Sequence, residues 1–325
     1  MDRDYVLICS SGRSGSNWLL DILDLSGSSF VRNEPDECGP NATFGRLTPA
    51  RAVIGKDEML LESEWDTVLD TTAKSLGIRD HIASSHKHYV RPVAKTFGLD
   101  ILMRKHRTRM AIANVIWPLR GEEWRLPGWL VDKSLLGETT PIFKLNNPPG
   151  WAVWALRNRP KSRVIHLVRH PGGFLNSWSN RYLSRHNESK VLGENRQRLR
   201  DVAAIDVDWG ARFGDVDAMD VEAAEMWYWL YANESLYVEG RNRGRYLPLT
   251  FERLAAEPLA TAQDAFEFCG LEWNNRIQDS VREMSEQSQQ IAKAWRSQLT
   301  REQVTLVERI LGDSPLADLW PEEAA

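Results

Sequence analysis

Between residues 9 and 23 the chain reads CSSGRSGSNWLLDIL, and its segment Arg13, Ser14, Gly15, Ser16, Asn17 offers a guanidinium, two hydroxyls and a side-chain amide around a glycine. An apolar run (Tyr5 to Cys9) precedes it, and an apolar helical pattern (Trp18, Leu19, Ile22, Leu23) follows. Backbone amides at a helix start, with such side chains, form a nest for a compact tetrahedral anion. A plain Gly/Ser turn ahead of a helix is the competing reading. The loop is not of the Walker type, which needs G-x-x-x-x-G-K-[ST]. Here Gly12 and Gly15 are only three apart and no Lys-Ser or Lys-Thr follows. The dinucleotide fingerprint G-x-G-x-x-G is absent as well. A second cationic position lies in VIHLVRHPGGFLNSW, where Arg169 ends an apolar run and Ser177 follows eight residues later. A planar guanidinium makes bidentate, charge-assisted bonds to phosphate and needs no metal to do so.

These residues must be carried by strands and helices of a particular kind. YVLIC (5–9) and RVIHLV (163–168) are short, nearly continuous apolar runs, as expected of parallel strands buried on both faces. RYLPLTF (245–251) is a weaker third, interrupted by Pro248. The first two run through a turn into helix patterns, Asn17 to Leu25 and Gly172 to about Arg185, which predicts a parallel α/β sheet. In such folds ligands bind where loops leave the carboxyl ends of the strands. Further helices are expected over 221–240, 258–270 and 300–312, the last opening with Thr300 and Gln303 in capping-box spacing. One domain over residues 1–325 is expected, with the polar stretch of about 187–220 as a mobile insertion or lid.

Composition narrows the classes. In 325 residues, 42% hydrophobic, there is material for a sizeable core, and a net charge of −4 gives no bulk case for nucleic acid or an acidic membrane. Cys9, Cys38 and Cys269 lack CxxC spacing and read as small apolar residues in a reducing compartment. MDRDYVLIC enters a strand at once, with no signal peptide, and no apolar stretch reaches a membrane span; a soluble, cytoplasmic protein is expected. HIASSHKHY brings His81, His86 and His88 together, yet no carboxylate or cysteine completes a metal set, and no metal is expected. Trp117, Trp124, Trp129, Trp151 and Trp154 read either as core or as a wall for an acceptor.

R-S-G-S paired with the later R-x-P and serine resembles the sulfotransferases that use 3′-phosphoadenosine 5′-phosphosulfate (PAPS), chiefly the bacterial and Golgi-type members. LPLTFERLAAEPLATAQDAFEFCGL is similar to that family's Y-E-D-L…P…FLGL segment, with Phe251 in the tyrosine's place, and AKAWRSQLTREQ to its C-terminal lysine–tryptophan segment. The resemblance implies a P-loop-like α/β fold and metal-independent, in-line sulfuryl transfer to a hydroxyl of a small-molecule or carbohydrate acceptor. It implies that the loop from Arg13 to Trp18 wraps the phosphosulfate, with Trp18 on the adenine, that Arg13, the loop amides and Ser16 meet charge growing on the leaving group as a catalytic contribution, and that Arg169 and Ser177 bind the 3′-phosphate. Arg181 lies one helical turn after Ser177 and matches a basic position in the tyrosylprotein branch. Lys144 matches a lysine that contacts the transferring group. Two residues on, the cytosolic enzymes carry a histidine base, and here Asn146 stands there.

The base implied instead is Glu34, twenty-one residues past Arg13, at a similar remove to a glutamate of the tyrosylprotein and many bacterial members. A helix out and a short strand back would bring it to the same sheet edge. A solvated acidic turn of Glu34, Asp36 and Glu37 is the competing reading. Phe251, Lys293 and Arg296 complete the implied nucleotide set, each with an ordinary alternative: core packing for Phe251, and a solvated helix end for the two cations. Core packing for Trp18 and a solvated helix charge for Arg181 also stay open. A P-loop-like kinase, which would need magnesium and a Walker lysine, and a silent nucleotide-binding module are the other functional readings. Oligomeric state and the acceptor's identity are not encoded in any motif.

Overall fold

The computed structural model describes residues 5–34, 52–56, 62, 87–92, 132, 134–183, 188–286 and 288–321. Strand β1 (Val6–Ser10) enters the loop and then helix α1 (Ser16–Leu23), and β2 (Ser29–Asn33) returns beside it. After β3 (Thr140–Asn146) come α2 (Pro149–Asn158), β4 (Arg163–Val168) and α3 (Pro171–Tyr182). Helices α4 (Glu188–Ala203), α5 (Val207–Phe213) and α6 (Val221–Gly240) lead to β5 (Tyr246–Thr250). The chain continues through α7 (Phe251–Ala256), α8 (Pro258–Cys269), α9 (Asn275–Met284), α10 (Ser288–Lys293) and α11 (Arg301–Leu311).

The described strands form one parallel sheet in the order β2-β3-β1-β4-β5. It is the single α/β domain expected, with helices on both faces. Alternation along β1 divides the core: Val6 and Ile8 face α1 and α8, packing on Leu19, Leu23, Ala262 and Phe266. Leu7 and Cys9 face the other way, onto Trp151 and Leu236 of α2 and α6. Of the tryptophans considered as an acceptor wall, Trp151 and Trp154 are therefore core, while Trp117, Trp124 and Trp129 lie outside the described residues. Cys9 and Cys269 are buried and unpaired, and burial pushes both thiols up.

Register decides what the sheet offers. Asn33 lies opposite Lys144, Ser10 opposite Asn146 and Leu167, and Val168 opposite Thr250, so the strands end at one edge and deliver their loops there. The amino end of β2 is pinned by Lys87, fully buried, whose ammonium pairs with Asp24 at 2.7 Å and donates to the carbonyls of Ser26 and Ser29. The polar 188–218 stretch is helical where described. Leu199, Val202, Trp209 and Phe213 pack in one cluster with α6, and Arg212 forks onto Glu234. No helix among the described residues is long and apolar enough to cross a membrane.

Behind the first loop runs a buried polar chain. Asn233 on α6 gives its amide protons to Ser11 Oγ (3.0 Å) and Trp229 O (2.7 Å), so its Oδ1 accepts from His166 Nε2 (3.0 Å). That fixes the tautomer: His166 Nδ1 accepts from Tyr246 OH at 2.7 Å. Burial, only partly offset by the Asn233 bond, lowers the His166 pKa to about 4. A depressed histidine pKa means a neutral ring stabilises the fold above the unfolded value near 6.5, and that this contribution is lost as pH falls towards 4. The slope is about 1.4 kcal/mol per pH unit for one proton. Between pH 6.5 and 4.5 the wild type should therefore lose more melting temperature than His166→Gln; equal losses in thermal melts would remove His166 from the acid response.

Candidate functional site

The loop between β1 and α1 turns through two left-handed residues, Arg13 (φ 73°) and Gly15 (φ 82°). Gly15 is required twice over. Its conformation suits a residue without Cβ, and a Cβ there would lie 2.4 Å from Phe251 Cδ2. No side chain caps the start of α1, so its leading amides remain available to an anion at the carboxyl edge of the sheet. Ser14 is buried, and its Oγ has no partner among the described residues. Ser16 is also buried, whereas Asn17 is exposed. Trp18 is half-buried, edge-on to Phe251 with ring centroids 6.1 Å apart.

Arg169 leaves the end of β4 and is buried, with 7% of its surface exposed. Its Nη1 donates to Arg13 O at 3.0 Å, its Nη2 to Ile291 O at 3.4 Å, and its guanidinium carbon lies 4.6 Å from the Phe251 ring centre. Its Nε is buried without a partner among the described residues. Burial lowers the Arg169 pKa, the Glu252 carboxylate opposes that, and Arg13 adds to it. An arginine nonetheless stays charged. Glu252 in turn accepts from His170 N (3.1 Å) and Trp320 Nε1 (3.0 Å), and its own pKa is raised by burial despite those bonds. On α3, Ser177 Oγ accepts from Arg13 Nε at 3.1 Å, and Arg181 is exposed one turn further on.

Across the cavity, β2 and β3 end in left-handed residues, Glu34 (φ 49°) and Asn147 (φ 47°), each held by a backbone bond to the next strand. Glu34 N donates to Lys144 O (2.9 Å) and Asn147 N to Ser10 O (2.8 Å). A non-glycine residue in that region carries strain, which persists where surrounding structure fixes it. Here it aims the Glu34 side chain at its neighbours: Lys144 pairs with Oε1, and Asn146 Nδ2 donates to the same oxygen at 2.6 Å. Lys144 is buried, while the Glu34 side chain keeps 22% of its surface exposed.

A cavity of about 730 Å³ joins these groups. Gly12, Arg13 and Gly15 to Trp18 line it, with Glu34, Lys144, Asn146, Arg169, Arg181 and Phe251. Ser14 and Ser177 are not in its lining; Ser14 stands in the chain between Arg13 and Gly15, which are, and Ser177 Oγ accepts from Arg13. Lys293 and Arg296 are exposed and outside it; Arg296 lies over Trp295, which stacks on His170 at 4.5 Å. That stack explains Gly172, where a Cβ would meet Trp295 at 2.5 Å. Tyr182, Met284, Ser288 and Ile291 also line the cavity. They belong to no motif; the lysine–tryptophan segment points just past Ile291, to side chains that turn outward. His88 is exposed, and His81 and His86 lie outside the described residues.

The sequence model described as the sulfotransferase family matches residues 5–275. No curated protein matches the chain. Among solved structures it is similar to the sulfotransferase domain of the Synechococcus PCC 7002 olefin synthase, at 16% identity over 96% of each chain with a TM-score of 0.42. It is also similar to mouse sulfotransferase SULT7A1 complexed with PAP, at 11% identity over 99% of this chain and 89% of that one, TM-score 0.46. A third is retinol dehydratase in a complex with retinol and PAP, at 12% identity over 96% and 82%, TM-score 0.37.

The packing of Phe251 on the loop generates a test of the geometry. Gly15→Ala should destabilise the fold by about 1–3 kcal/mol through strain and collision with the ring. Phe251→Ala removes the collision, so the double variant should lose less than the sum of the two single losses. Strict additivity in denaturant melts would mean that ring and loop do not bear on each other.

Proposed function

Because the chain belongs to the sulfotransferase family, matched over residues 5–275, we propose that it transfers a sulfuryl group from PAPS to a hydroxyl of a small-molecule or carbohydrate acceptor. The observation that carries this is the meeting, at one cavity, of an uncapped helix start, a buried arginine with an unpartnered Nε, and a lysine–glutamate pair. The residues suit such a donor. Buried Arg169 Nε and Ser14 Oγ lack partners among the described residues, as hydrogen-bonding groups for a bound anion would.

In this reading Arg169 and Ser177, with Arg181 beside them, hold the 3′-phosphate, and the Arg13–Trp18 segment holds the phosphosulfate. Trp18 and Phe251 provide apolar faces for the base. When bound, the donor supplies an activated sulfuryl group, whose transfer asks the protein for position and charge stabilisation rather than covalent help. Arg13, the α1 amides and the Ser16 hydroxyl meet charge on the leaving phosphate, and Lys144 meets the transferring group. Glu34 takes the acceptor's proton. Lys144 and Asn146, both donating to Oε1, fix the direction in which its carboxylate faces. A nucleotide kinase remains the second reading by class, but the loop has neither the Walker spacing nor its lysine.

Two outcomes are expected. By calorimetry, adenosine 3′,5′-bisphosphate should bind far more tightly than ADP, and Arg169→Ala should remove most of that preference, about 2–4 kcal/mol. Equal affinities in the wild type would overturn the nucleotide assignment. With labelled PAPS and a panel of hydroxyl acceptors, Glu34→Gln should keep nucleotide binding and lose about 10²–10⁴ in kcat. A near-normal kcat would remove Glu34 as the base.

A further inference from the structure

The turn that carries Arg169 from the end of β4 into α3 is held from behind by two side chains that do not line the cavity, Glu252 and Trp320. The peptide N–H of His170 donates to both oxygens of Glu252, at 3.1 and 3.2 Å. Trp320 Nε1 donates to one of those oxygens at 3.0 Å. The His170 ring stacks on Trp295 at 4.5 Å and stands edge-on to Trp320 at 5.3 Å, and its Nδ1 accepts from Gly172 N at 3.1 Å. At Gly173 a Cβ would lie 2.8 Å from Arg169 Nε, so the arginine packs closely against the start of α3. Residues 169–173 therefore have little room to move independently of Glu252.

Trp320 is buried and comes from the far end of the described chain. It follows the turn Pro315–Leu319, which Ser314 caps and Leu316 seats in the cluster around α6. An indole N–H only donates and an ionised carboxylate only accepts, so the bond between them has one polarity. Glutamine in place of Glu252 would turn one oxygen into a donor facing the His170 amide. Glu252 also acts on Arg169 through its charge, opposing the effect of burial on the guanidinium.

We infer that Glu252, braced by Trp320, is a positioning residue for Arg169, fixing the turn that aims the guanidinium and with it the selectivity for a 3′-phosphate. The assignment rests on the nucleotide reading above. On charge alone, removing a carboxylate near Arg169 would strengthen the binding of an anion. Positioning demands the reverse, so the sign of the change decides between them.

The test is calorimetry with adenosine 3′,5′-bisphosphate and with 5′-AMP on wild type, Glu252→Gln, Trp320→Phe, Arg169→Ala and the double variant Arg169→Ala/Glu252→Gln. Melting temperatures check that each is folded. A wild type without preference for the bisphosphate overturns the nucleotide reading, and the inference with it. Where the preference exists, Glu252→Gln should cut the affinity ratio about tenfold, the usual worth of a hydrogen bond to a charged group, with AMP affinity within about twofold of wild type. In the Arg169→Ala background the same substitution should leave the ratio unchanged within about twofold, because it acts through the arginine. Trp320→Phe keeps a ring against His170 and removes the donor, so a smaller cut of about threefold is expected, and it carries the test if Glu252→Gln does not fold. An unchanged or larger ratio in the folded variants, equal weakening of both nucleotides, or a further cut in the Arg169→Ala background overturns the inference.

Discussion

Burying a guanidinium beside another cation is physically demanding, and much of the architecture at the carboxyl edge of the sheet answers to it. A charge withdrawn from water needs hydrogen bonds, an opposite charge or an aromatic face. Arg169 receives all three from different parts of the chain: carbonyls of the first loop and of α10, the Phe251 ring, and the Glu252 carboxylate behind it. Segments distant in sequence are thereby tied to the end of β4. Glu252 is itself held by Trp320 and by the backbone of His170, so the chain's last described turn also bears on the arginine.

On the opposite side the sheet does the positioning directly. Glu34 follows the last residue of β2 and is bonded through its amide to the carbonyl of Lys144, whose side chain it also meets. A carboxylate and a cation fixed by the same strand pairing keep their separation without help from a loop. Asn146 adds a third anchor to the same oxygen. Rigid elements hold such constellations better than mobile ones do.

The sequence reading found what repeats a simple pattern. β1 and β4 are nearly continuous apolar runs, and α6, α8 and α11 carry their own start and stop residues. β3 escaped because Pro141 and Lys144 break its apolar run, though Pro141 sits near a strand start and Lys144 is matched by an acid from the next strand. α2 was hidden inside a tryptophan cluster that drew attention as a possible wall, and α4 and α5 inside a stretch whose polar faces outnumber the few residues turned to α6. At the site, Arg169 stands out at the end of an apolar run, whereas Lys144 and Glu34 are implied by the family resemblance rather than by any local pattern; the three line one cavity. What no local pattern could tell is direction: that Arg13 leans towards Ser177, or that Lys293 and Arg296 turn outward.

Phe251 lies against Gly15 on one side and under the Arg169 guanidinium on the other. This ring is buried, so it is a rigid wall shared by the loop and the arginine, which the bond from Arg169 Nη1 to Arg13 O also ties together. The relative placement of the two is thus fixed by one buried side chain and one hydrogen bond rather than by flexible arms. Any relative in which the ring is enlarged or trimmed would carry the same groups at a different pitch.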